Sequence, residues 1–326
     1  MYNSNESQLI YPNGKDFAFS IFDDTDVSTL EYIRPIYDRL TSLGLITTKS
    51  VWPLRYDGES DFHGSNTLED EKYALYINEL RDRNYEIAFH GPTMVSSNRE
   101  NTLRAFDVFW KVIGSYPRIY APHSLNRENL YWGSFRLSTP LLRSLFKELY
   151  REPHNYYLGH KEGSQFFWGD ICLRHIDYVR NFTFDEVNLL RINDIITYEN
   201  PSKRWVKKWF YTADADNVEE FNRILCDKNQ DRLQQERGVC ILSTHLGKGF
   251  IKGGRLLSET DRLLKRLCKL NGWYVPVSVI LDFLSEQQTV HSLSTWKEFI
   301  LELKWLVHSI RRKRRSLEYE KCKSAS

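Results

Sequence analysis

Three carboxylates crowd the end of a short apolar run near the start of the chain. Phe17 to Asp26 reads FAFSIFDDTD, the composition of a buried strand followed by Asp23, Asp24 and Asp26. Acids so close repel one another, and a bound cation or shared protons would relieve them. Three more strand-like runs end in histidine: His90 after YEIAF, His123 after Ile119 to Pro122, and His245 after GVCILST. Carboxylate plus imidazole is the ligand set of a divalent metal that keeps positions open for water and substrate. Such a metal acidifies water and polarises a carbonyl, while a second carboxylate takes the proton and a further histidine serves the leaving group. That is the division of labour of a metal-dependent amide or ester hydrolase. The plainer role for Asp24 or Asp26 is to cap the helix that Val27 to Glu31 begins.

These groups meet only if parallel strands bring their C-terminal ends together. Leu30, Ile33, Ile36, Tyr37, Leu40 and Leu43 recur three and four apart, which predicts a helix closed by Gly44. Residues 45–54 predict a strand, Thr67 and Asp70 open a helix to Leu80, and Tyr85 to His90 is the next strand. A helix over Asn98 to Ile113 precedes the strand ending at Ala121. Residues 127–190 hold the helix-like PLLRSLFKELY, the loop YYLGHKEGSQFFWGD suited to a lid or substrate wall, and a predicted helix around Asp170 to Val179. Strands at Trp205 to Thr212 and Gly238 to Thr244, helices at Asn217 to Leu225 and Glu259 to Lys269, and a strand and helix through Leu284 continue the alternation. The expected architecture is one α/β domain, a parallel (β/α) barrel over residues 1–285, with its chemistry at the strand ends.

Residues 286–326 differ. Trp296, Phe299, Ile300, Leu303, Leu306, Val307 and Ile310 form one helical stripe, and RRKRR follows at Arg311 to Arg315. This amphipathic helix with a basic end can pack on the barrel, pair copies, or rest on an anionic membrane surface.

The 41% hydrophobic content and nine Trp describe a protein with a sizeable core, and a net charge of +2 marks no polyanion binder. Basic and aromatic residues are not interleaved as nucleic-acid binding requires. Five widely spaced cysteines without C-x-x-C suit a reducing compartment rather than a disulfide framework. The polar start and the absence of a long apolar run lead us to expect a cytoplasmic protein, peripheral at the membrane if the basic helix binds there.

The ordered motifs resemble the polysaccharide deacetylase superfamily, carbohydrate esterase family 4. FDD at Phe22 to Asp24, EIAFH at Glu86 to His90 and ILSTH at Ile241 to His245 stand where the family carries its acid pair, histidine motif and final histidine. The resemblance covers about residues 15–285 and implies a carbohydrate deacetylase acting on an N- or O-acetyl group with one divalent ion, zinc. It implies Asp23 as general base, Asp24 and His90 as metal ligands, and His245 as general acid. Met94 stands where the family has its second histidine, and no arginine accompanies Ala121-Pro122-His123 to pair with the base. The expectation is that His123 replaces the missing ligand.

The family's acidic motif is echoed by Asp214 or Asp216. Asp26, Trp132, His160 and Asp214 are the expected substrate contacts, with Trp168 and Tyr131 as further stacking surfaces whose commoner role is core packing. Arg99 and Arg127 are candidates to stand in for the missing arginine. The expected partner is a carbohydrate, free, lipid-linked or nucleotide-linked. The alternatives are an inactive sugar-binding barrel or a glycosidase using strand-end carboxylates, which needs two separated acids and no metal.

Overall fold

The computed structural model describes residues 9–56, 64–152, 156–289 and 291–324, with side chains through residue 314. The first half alternates as its apolar pattern requires: β1 (Phe17–Asp23), α1 (Leu30–Ser42), β2 (Thr48–Val51), α2 (Glu71–Asp82), β3 (Glu86–Phe89), α3 (Arg99–Ile113) and β4 (Ile119–Tyr120). Next come α4 (Pro140–Tyr150), α5 (Gly169–His175), β5 (Tyr178–Phe184), β6 (Thr197–Tyr198), β7 (Lys208–Ala215), α6 (Val218–Ile224), α7 (Asp227–Gln235) and β8 (Val239–Thr244). The chain ends in a small hairpin, β9 (Ile251–Lys252) and β10 (Arg255–Leu256), then α8 (Ser258–Leu267), β11 (Gly272–Tyr274), α9 (Val277–Gln287) and α10 (Thr295–Ser324).

Strands β1, β2, β3, β4, β5, β7 and β8 pair in parallel in that order, and β8 returns to β1, closing a seven-stranded barrel. Closure leaves each barrel strand buried on both faces, so β1 and β8 are buried along their whole lengths. Short β6 runs antiparallel to β7, and β11 extends the sheet beside the first half of β1. Side chains alternate along a strand, which separates the acids of β1. Asp23 points outward, where it accepts from Tyr37 of α1, and Asp24 points across the barrel to Arg180 of β5.

Two elements depart from the sequence reading. The helix expected to run to Val179 stops at His175, and β5 starts at Tyr178. Its tight pairing to β4 and β7 outweighs the local helical pattern. The α10 stripe is also rotated: Leu301, Glu302, Trp305 and Leu306 are buried, whereas Trp296, Leu303 and Val307 are exposed. Trp305 packs against Phe146 of α4 and Phe182 of β5, and the Glu302 carboxylate accepts the Ser138 and Thr139 amides at the start of α4. This docking fixes the rotation. Of the basic run, Arg311 to Arg314 are described and the Arg315 side chain lies outside the described residues. Among the described residues no helix is long and apolar enough to cross a membrane.

Candidate active site

The barrel mouth gathers side chains from four strand ends and from within a fifth strand. Asp24 and Asp26 follow β1, His90 follows β3, His123 follows β4, Arg180 rises from β5 and His245 follows β8. Asp26 lies at the centre: His245 Nε2 is 2.7 Å from its Oδ2, His123 Nε2 is 3.3 Å from its Oδ1, and His90 Nε2 is 3.9 Å from Oδ2. His90 Nδ1 faces Asp24 Oδ1 at 3.4 Å. Trp52, fully buried, packs against both the His90 and His123 rings and holds them apart from solvent.

Each carboxylate has a distinct environment. Asp23 is sealed: Lys49 Nζ lies 3.0 Å from Oδ2, the Tyr37 hydroxyl donates to Oδ2 and the Leu246 amide to Oδ1. Burial raises its carboxyl above the ordinary range while Lys49 and the Leu246 amide pull against it. An ammonium, a phenol and an amide N–H form a donor set that only the ionised form satisfies in full. With no free oxygen toward the mouth, this placement does not support Asp23 as the general base. Burial works to raise the Asp24 pKa, but Arg180 at 2.8 Å overrides it, with His90 and His245 assisting, and the carboxyl is held low. Burial is likewise overruled at Asp26, where the imidazoles of His123, His245 and His90 keep the carboxyl well below its usual range.

The imidazoles also divide into two kinds. Burial drives the His90 pKa down to about 3 against the pull of Asp24 and Asp26, so His90 is neutral at physiological pH. His123 Nδ1 lies 3.2 Å from Asn126 Oδ1, and the Asn126 amide nitrogen donates to Val95 O and Glu128 Oε1. The Asn126 oxygen is therefore the one that faces Nδ1 of His123, which leaves Nε2 turned toward Asp26. His245 meets acceptors on both sides: Asp26 at Nε2, and the Asp216 carbonyl and carboxylate at 3.1 and 3.3 Å from Nδ1. Burial opposes its charge, but the bond to Asp26 prevails and raises its pKa.

A divalent cation was expected here, and unsatisfied atoms test the fit. His90 Nδ1 and Nε2, Asp24 Oδ1 and Asp26 Oδ1 are buried without a hydrogen-bond partner. Buried polar groups ordinarily have partners, so four orphans in one cluster mark a place for water or an ion. A carboxylate and imidazoles, as Asp26, His90 and His123 supply here, are donors suited to a divalent ion. Among the described residues, no group of three or more His, Cys, Asp or Glu is placed so that it could hold a metal ion, so the fit rests on donor chemistry and not on a formed ligand geometry. The donor chemistry fits.

The other expected contacts lie farther out. Asp214 pairs with Arg312 of α10, and it is Asp216 that meets His245. His160 stacks on Tyr131 at 4.2 Å between ring centres and accepts the Tyr131 amide; burial lowers its pKa to about 4. Half-buried Trp132 lies under the Arg136 guanidinium. Trp168 is a core residue whose indole N–H donates to Glu128 O, and Met94 is buried. Arg99 pairs with Asp170, and Arg127 lies over Tyr156 and Phe166. The guanidinium that does face a strand-end acid is that of Arg180, which pairs with Asp24 and also donates to Ser243. Its one legible signal was a lone charge within the aromatic and β-branched run YVRNFTF, which demands a partner once buried.

No family model and no curated protein matches the sequence. Among solved structures, a Mycobacterium smegmatis protein assigned as a polysaccharide deacetylase is similar to this chain with a TM-score of 0.53 and 12% identity, over 89% of this chain and 97% of that one. The PuuE allantoinase is similar with a TM-score of 0.51 and 13% identity, over 90% and 97% of the two chains. At such identity the likeness is one of fold: the chain is a (β/α) barrel of the polysaccharide deacetylase type.

Proposed function

We propose that the protein is a metal-dependent carbohydrate deacetylase that hydrolyses an N- or O-acetyl group. The observation that carries this reading is the cluster of Asp24, Asp26, His90, His123 and His245 around four orphaned buried atoms. Asp26, His90 and His123 would hold the ion, because the Nε2 atoms of both histidines face the Asp26 carboxylate. When bound, a zinc-like ion supplies polarisation of the acyl oxygen and acidifies water.

The remaining groups handle protons. Arg180 pins Asp24 Oδ2 while Oδ1, which faces His90 Nδ1 without a hydrogen bond, accepts the proton of the attacking water in an orientation fixed by the guanidinium. This moves the base from Asp23, which instead holds the Leu246 amide and thereby the loop beyond His245. His245 stores a proton at Nε2 for the leaving nitrogen or oxygen, and Asp216 fixes its ring through Nδ1. The site would lie in the cytoplasm, near the membrane if its sugar is lipid-linked.

Acetate release from acetylated sugars, including N-acetylglucosamine oligomers and O-acetylated xylan fragments, tests the reading. Release that a chelator abolishes and zinc restores is expected. Acetate release indifferent to chelation would overturn the metal role, and none from any acetylated sugar by metal-loaded protein would favour a sugar-binding barrel.

A further inference from the structure

The connection between β4 and α4 carries a buried cation that the proposed mechanism does not use. Arg136 is only 8% exposed, in the turn that follows Trp132. Its guanidinium carbon lies over the Trp132 ring, 3.1 Å from the centroid, with the Trp305 ring of α10 at 5.2 Å. Among the described residues it has no ion pair and donates no hydrogen bond, and its buried Nε is an orphan. Aromatic faces offset part of the cost of burying a guanidinium, but they leave its in-plane N–H groups without acceptors.

The surroundings add positive charge. Lys203, itself buried, donates to the Arg136 carbonyl at 2.5 Å and braces the turn. Asp214 acts electrostatically on Arg136 but already pairs with Arg312, and Arg180 is a second cation that disfavours the charge on Arg136. A buried charge that lacks a counter-ion is costly, whereas a planar fork of N–H donors matches the paired oxygens of a phosphate or carboxylate. Burial lowers the Arg136 pKa to about 9, which still leaves it charged at neutral pH.

We propose that Arg136, stacked on Trp132 in the connection between β4 and α4, is the recognition site for an oxyanion carried by the carbohydrate substrate. The substrate class narrows from neutral polymers to charged sugars, either phosphate-linked or acidic. The inference rests on the carbohydrate reading of the barrel, yet it is tested by binding without turnover, so its failure is distinguishable from failure of the deacetylase assignment.

Titration calorimetry and thermal shift, at constant ionic strength, would use inorganic phosphate, glucose 1-phosphate and glucuronate as probes. Wild-type protein should bind and be stabilised by at least one of them. Tighter binding of glucose 1-phosphate assigns the oxyanion to phosphate, and tighter binding of glucuronate assigns it to carboxylate. Arg136→Met should weaken the preferred probe by about tenfold or more, as loss of a charged hydrogen-bond pair implies. Arg136→Lys keeps the charge and loses the fork, so it should weaken binding severalfold, and it carries the test if Arg136→Met does not fold. No binding by wild type, unchanged affinity in the folded variants, or binding lost in Asp26→Ala but kept in Arg136→Met would overturn the assignment.

Discussion

Lys49→Met is expected to destabilise the protein by about 3–5 kcal/mol in urea unfolding, the cost of leaving one member of a buried ion pair alone. Asp23 and Lys49 are both wholly buried, 3.0 Å apart, in register across β1 and β2. The variant either strands the carboxylate or forces a proton onto it against the Tyr37 and Leu246 donors. Combining Lys49→Met with Asp23→Asn should recover part of the loss, since an amide oxygen still accepts from one of those donors while the unpaired charge is gone. A loss below about 1 kcal/mol for the single variant, the range of exposed pairs, would contradict the structural role assigned to Asp23.

His245→Ala is expected to lower kcat for acetate release by about 10²–10⁴-fold, the range for a general acid, while metal content stays at the wild-type level. The separation matters because His245 touches Asp26 at 2.7 Å without being placed in the ligand set. Asp216→Asn, which keeps the backbone carbonyl at Nδ1 and removes only the carboxylate, should cost less. Loss of metal in His245→Ala would move that residue from proton donor to ligand.

The strand ends were legible because each ended an apolar run in a titratable residue: FAFSIFDD, EIAFH and ILSTH each place their acid or histidine at the barrel mouth. The roles within FDDTD were less legible. Read as one acidic cluster, the segment conceals that Asp23 and Asp24 point to opposite faces of β1, although strand alternation alone separates them. Asp26 lies past the strand, where no periodicity applies, and its central position depends on three loops meeting. Arg180 was hidden by an error of element: a helix extended to Val179 leaves no strand to aim a guanidinium into the barrel. Lys49 sits in an ordinary β-branched run, TTKSV, and only the register with Asp23 reveals it. The α10 surface followed neither its most apolar stripe nor its hydropathy, because Trp305 and Glu302 found specific partners on α4 and β5.

Elemental analysis of purified protein is the most direct test of the metal site. Wild type should hold about one divalent ion per chain, taken up again after chelation. Asp26→Ala, His90→Ala and His123→Ala should lose it, and Asp24→Ala should keep it while losing acetate release. Wild-type protein that neither holds nor takes up a metal, or an ion that survives in all three ligand variants, would contradict the account.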